Sequence, residues 1–122
     1  MYNEKVLSRI AAIEKKIGFI QNIVNEYGST TAALEDEEKG RAAILMHLTS
    51  IAEQFDKLLH SGELEILSHF EKQDIKGSYD LRTFIAHDYE GVDLYIVEEV
   101  IDKRLPVILE STQKILRPTK RN

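Results

Sequence analysis

The residues best able to do chemistry lie in one short stretch, Arg82-Thr83-Phe84-Ile85-Ala86-His87-Asp88-Tyr89, which reads R-x4-H-x-Y. Arg82 stays charged and presents five donors in a fixed fork, a match for a phosphate or a pentacoordinate phosphorane. His87 can take or give a proton near neutral pH. Together the pair can cleave RNA without a metal. The imidazole draws the proton from a 2′-OH while the guanidinium stabilises charge on the phosphoryl oxygens. A plainer reading stands beside this one: Arg82 pairs with Asp80 or Glu90 on the surface, and His87 caps a helix C-terminus. Chance alone would produce such a triplet around one of four His roughly once in a hundred chains of this composition.

Geometry constrains the chemistry. Residues five apart on a straight helix lie about 140° apart around the axis. Arg82 and His87 therefore do not converge on one face. Either His87 sits beyond the helix end, which Gly91 just downstream would permit, or a second copy completes the site across a two-fold axis. A dimer would supply two Arg and two His.

Other chemistries find little support. Cys is absent, which excludes disulfides, thiolate metal sites and Cys nucleophiles. No phosphate-binding glycine loop, GxGxxG or nucleophile-elbow pattern occurs. A di-iron bundle needs Glu three residues before His. Here those positions hold Ile44, Lys57, Ile66 and Phe84, so no metal site and no cofactor is expected. Asp56–His60 and Glu65–His69 are spaced as solvated charge pairs. His47 borders an apolar stripe and reads as structural.

The elements that must position the motif are helical. Val6, Ile10, Ile13, Ile17, Ile20, Val24 and Tyr27 alternate spacings of four and three, which predicts a helix from about residue 3 to 27 ending at Gly28. Glu35 to Glu38 form a loop or a first helical turn. Ile44, Leu48, Ile51, Phe55 and Leu58 predict a second helix to about His60, thickened by Leu45, Ala52 and Leu59. Leu64, Leu67 and Phe70 suggest a short third. The polar stretch Lys72–Ser78 reads as a mid-chain break. A fourth helix then carries the motif. Val92 to about Leu116 reads as a long last helix, kinked at Pro106.

The fold class is thus all-α, an up-and-down bundle of four to five helices, with near-heptad stripes that also suit dimerisation. With 122 residues the chain makes one domain, expected over residues 1–117 with a frayed basic tail over 118–122. Hydrophobic residues at 43% supply a core, and only 6 Gly and 2 Pro leave long unbroken helices. No apolar run approaches the roughly 18 residues that span a bilayer, and the N-terminus has no signal-peptide core, so a cytoplasmic protein is expected. A net charge of -5 means that any nucleic-acid contact must be local. Arg82, with Lys76 or the tail residues Arg117, Lys120 and Arg121, would supply it.

The motif resembles the signature of the HEPN superfamily, and more closely that of its HepT-like toxins, which carry R-x4-H-x-Y. Flanking segments follow in the same order: Ile51-Ala52-Glu53-Gln54 before the motif, Tyr89-Glu90-Gly91-Val92-Asp93 after it, and Leu105-Pro106 in the last helix. The resemblance implies a HEPN-like helical bundle that forms a homodimer with the two motifs facing each other. It implies a metal-independent endoribonuclease acting on RNA, with Arg82 and His87 as the catalytic pair. It also implies a toxin–antitoxin pair. A minimal nucleotidyltransferase antitoxin would silence the toxin by adding AMP to Tyr89. Thr83, Asp88 and Glu53 are candidate supporting residues. Thr83 stands where the family usually has Asn, Asp or His. That substitution motivates an alternative, a non-catalytic HEPN module that binds a nucleotide or a partner nucleotidyltransferase. A third reading is a purely architectural dimeric adaptor.

Overall fold

Each helix begins and ends where its local chemistry requires. In the computed structural model, which describes residues 2–118, α1 runs Glu4–Tyr27. The Asn3 side chain caps it by accepting from the Val6 N–H at 2.9 Å. Gly28 ends it in the left-handed region at φ 87°, where an L side chain would be strained. Ser29 then caps a short α2, Thr30–Glu35. The acidic stretch is neither loop nor ordinary first turn. Glu37–Arg41 form a π-helical turn leading directly into α3, Ala42–His60. Gly40 is required there, because a Cβ would run into the Ala33 carbonyl. Asp36 caps this turn and accepts from the Tyr27 hydroxyl, so the corner is tied back to α1.

A single turn, α4 (Leu64–Leu67), precedes α5, Lys72–His87. The break expected over Lys72–Ser78 is absent: those residues are the first half of α5. Polarity there does not signal a loop. It reflects a peripheral helix whose one fully buried side chain is polar, Asp74. Asp74 is held by Arg104 through two hydrogen bonds of 2.7 and 2.8 Å, and Arg104 also reaches Glu71. Those carboxylates push the Arg104 guanidinium above its ordinary pKa. Gly77 does not break the helix either, and no neighbour fills the space beside it.

The last helical rod begins at Leu94, two residues later than expected. It passes through α6 (Leu94–Glu99), a π turn (Val100–Arg104) and α7 (Leu105–Leu116) without interruption. The π turn directly precedes Pro106, and the Leu105 N–H donates to the Val100 carbonyl in this wider register. A proline removes a ladder donor. Here the helix changes register ahead of it and continues.

Counting that rod once gives six helices in an all-α fold, with no strand among the described residues. α1 lies between α3 and α7 and runs antiparallel to both. Arg9 bonds Gln54 and Phe19 packs on His47 along one side, while Arg117 bonds Glu14 and Thr30 bonds Asp102 along the other. The predicted stripes of α1 and α3 form the core, with Ile10, Ile13, Ile17, Ile20 and Ile44 wholly buried. Leu59 departs from expectation. It is exposed, because it faces the groove between α3 and α5 and not the core. α5 packs on the far side of α3 from α1. Residues 119–122 lie outside the described residues, so the tail reading and its Lys120 and Arg121 stand as sequence expectations only.

Candidate functional site

The motif occupies the C-terminal end of α5 and the turn after it. His87 is the last helical residue, and Asp88 leaves helical geometry as the cap. The Asp88 side chain accepts from the Gly91 N–H at 3.2 Å, closing the 3₁₀ turn Tyr89–Gly91. A Cβ at Gly91 would meet the Asp88 carboxylate and require that side chain to swing away from the turn it caps. His87, Asp88 and Tyr89 are all exposed.

Arg82 lies one and a half turns earlier. Its Nη2 stands 3.9 Å from Glu53 Oε2 on α3, and the two side chains are 35% and 48% exposed. The ion pair is loose and wet, which leaves the guanidinium able to change partners. The surface partners considered from sequence, Asp80 and Glu90, are not its partners: Asp80 takes Lys76 at 2.7 Å. Glu53 thus joins the site as a contact of Arg82. Asp88 supports the turn, and the half-buried Thr83 falls between Arg82 and His87 around the helix, about 100° from the first and about 40° from the second.

His87 remains in helical register, so Arg82 and His87 stay about 140° apart with about 7.5 Å of rise between them. Arg82 leans toward α3, and His87 points outward from the tip. Helical geometry thus sets the two residues on different faces of α5.

The two flanks of α5 differ in charge. Beside α3 runs a groove floored by Ala52, Phe55, Leu59 and Ile75, with Lys72, Lys76 and His60 on its rim. Tyr79 lines the same groove at the Arg82 end. The opposite flank meets α6. Its groove toward the tip is lined by Leu81, Phe84, Val92 and Ile96 with Asp80 and Asp93, and farther back along the same flank Arg104 holds Asp74. The other cation proposed from sequence is committed elsewhere. Arg117 grips Glu14 on α1 at 2.8 and 3.1 Å, away from the motif helix.

The remaining histidines have ordinary roles. His60 pairs with Asp56 at 3.4 Å as the spacing predicts. His69 does not pair with Glu65. It meets the Tyr2 hydroxyl at 3.2 Å. His47 packs on Phe19 with its Nδ1 buried and unpartnered, and burial together with nearby Lys16 holds its pKa below the ordinary value. Among the described residues no group of three or more His, Cys, Asp or Glu is placed to hold a metal, and no helix is long and apolar enough to cross a membrane.

Sequence reasoning missed the Asp74–Arg104 lock. Its two residues sit 30 positions apart in polar surroundings, and no local pattern links them. The only hint was an acidic residue in the first turn of a helix, which is common.

Neither a curated protein nor a solved structure matches the chain. A model of the family described as Ribonuclease HepT-like matches residues 13–115. That span runs from α1 through α7 and takes in the whole R-x4-H-x-Y segment. By this match over most of its length, on an all-α bundle that presents the motif at a helix tip, the chain belongs to the Ribonuclease HepT-like family.

Proposed function

We propose that this protein is the toxin of a toxin–antitoxin pair, a metal-independent endoribonuclease that works as a homodimer in the cytoplasm. The observation that carries the reading is the placement of His87 at the exposed end of α5, with Tyr89 in the turn after it and a loosely held Arg82 one and a half turns before it, in a chain of the HepT-like ribonuclease family. The 140° separation of Arg82 and His87 gives the second copy its role: Arg82 of one protomer works with His87 of its partner. The groove face of α5 suits such a pairing, because it offers an apolar floor to cover and carries both lysines, Lys72 and Lys76, and a carboxylate, Asp56, on its rim.

In the reaction, His87 takes the proton of a ribose 2′-OH. The 2′-oxygen attacks the adjacent phosphorus, and the P–O5′ bond breaks. The departing 5′-oxygen takes a proton from a protonated His87. The products are a 2′,3′-cyclic phosphate and a 5′-OH. Arg82 spreads the charge that grows on the non-bridging oxygens, which a fork of fixed donors does well. Its partner Glu53 is exposed, so exchanging that carboxylate for a phosphate costs little.

Tyr89 offers the control point. Its phenol is exposed two residues past His87. In the silencing step its oxygen attacks the α-phosphorus of ATP on a nucleotidyltransferase antitoxin, releasing pyrophosphate. The AMP so attached brings bulk and negative charge to the tip and repels an RNA phosphate.

The deciding experiment incubates the protein, shown by mass to lack AMP, with total RNA in EDTA beside His87→Ala. Cleavage by the wild type only, with 2′,3′-cyclic phosphate ends, is the expected result. A second reading, a non-catalytic module that binds a nucleotide or a nucleotidyltransferase, draws on Thr83, which cannot serve as an acid or base at neutral pH. That reading requires an AMP-free chain that cleaves nothing.

A further inference from the structure

The segment joining the motif to the last rod carries Asp88, Glu90, Asp93, Glu98, Glu99 and Asp102, with no Lys or Arg before Lys103. Within it, α6 stands as a ridge between two shallow grooves. One separates it from α5, and the other from α2, where Leu34 and Leu94 meet Glu35 and Glu98. No basic residue lines either groove. The crest is apolar and open: Tyr95 is 86% exposed and Ile96 54% exposed, and Phe84 is exposed across the first groove. Large apolar side chains grouped on a surface and rimmed by charge have the anatomy of an interface core and its polar rim.

The charge identifies the occupant. Nucleic acid is repelled by this face. A two-fold contact with a second copy would set the same acidic rim against itself. The carboxylates at the rim hold their places through local bonds, Asp93 accepting from the Tyr95 N–H and Glu98 from the Thr31 hydroxyl. A surface that covers Tyr95 and Ile96 and answers this rim must present Lys or Arg around an apolar centre.

We propose that the α6 ridge is the docking face for a different protein, one that presents a basic, amphipathic segment. Asp93 lies just past the 3₁₀ turn that carries Tyr89, so the docked partner borders the motif tyrosine. Control of Tyr89 by that partner rests on the function proposed above; the docking does not.

The test uses fluorescein-labelled helical peptides on the full chain: an amphipathic Leu–Lys peptide, its Leu–Glu counterpart, and a Ser–Lys peptide of equal charge. The Leu–Lys peptide is expected to bind at least about tenfold more tightly than the other two. The double variant Tyr95→Ser/Ile96→Ser, its fold checked by circular dichroism, should lose at least about tenfold. The pair Met46→Ser/Leu64→Ser, two exposed apolar residues that line neither the grooves beside the ridge nor the groove face of α5, should lose nothing. Equal binding of the Ser–Lys peptide, or indifference to the Tyr95 and Ile96 changes, overturns the proposal. So does a fall in sedimentation mass on changing Tyr95 and Ile96, which would make the ridge a self-interface, or a loss of single-stranded RNA binding in that variant. RNA cleavage measured on the same samples reports on the proposed reaction separately.

Discussion

At its N-terminal end α5 is fastened by a carboxylate, Asp74, whose side chain is only 3% exposed and is gripped at two points by Arg104. At its C-terminal end stand Arg82, with one distant carboxylate for company, and His87, at an exposed helix tip. One helix thus holds two kinds of arginine contact. The first is bidentate on a buried carboxylate and geometrically fixed, which makes it a structural fastener. The second is hydrated and loosely partnered, so its guanidinium can be given to a ligand at little cost. The contrast shows that a charge pair in a helix says little by its residue types. Burial and the number of bonds decide whether it holds the fold or waits for a substrate.

Breaking the free end should have the largest effect. His87→Ala is expected to lower RNA cleavage about 10²–10⁴-fold. It should leave the thermal midpoint in place, because the side chain is exposed. Cleavage assays and a melting curve on the same sample check both halves. Breaking the fastened end should do the reverse. Asp74→Ala removes the partner of Arg104 and should lower the thermal midpoint by roughly 5–10 °C. Cleavage measured well below that midpoint should change little. An Asp74→Ala protein that lost cleavage while keeping its midpoint would erase the distinction between the two ends.

Between those ends lies Gly77, which was expected to mark a break and instead sits in mid-helix with open space beside it. Gly77→Ala should therefore stabilise the protein by about 0.5–1 kcal/mol, measured by urea unfolding. The smallest effect concerns pH. His47 is held below its ordinary pKa of 6.5 by burial and by Lys16. The unfolded chain therefore binds the extra proton first as pH falls. The stability that His47 contributes is complete above pH 6.5 and declines as pH drops below it. His47→Gln should flatten that part of the stability profile, with melts between pH 7 and 5 as the check.

Much of the fold was legible from pattern. The α1 stripe is buried from Val6 to Ile20, and both Gly28 and the end of α3 at His60 lie where spacing and capping put them. These readings worked because each depends on residues within a few turns of each other. The reading failed at Lys72–Ser78, where only Ile75 packs on the core and a remote arginine fixes the helix through Asp74. It also failed at Leu59, which fits the helical period but faces a groove. The motif itself was plain. What was not plain was that Arg82 would rest on Glu53, or that the only other cation of the described tail, Arg117, would be taken by Glu14.

The sequence by itself determined the all-α class, the helix boundaries set by caps, and the R-x4-H-x-Y segment that marks the family, because helical period, capping and motif spacing are local properties of the chain. Only the tertiary structure decided that α5 starts at Lys72, that Arg104 anchors it through a buried Asp74, and that its two flanks differ, one bordered by Lys72 and Lys76 together with Asp56, the other by Asp80 and Asp93 toward the tip. Those outcomes depend on which helices meet. That is settled by burial of the core stripes over the whole chain, and no segment encodes it alone.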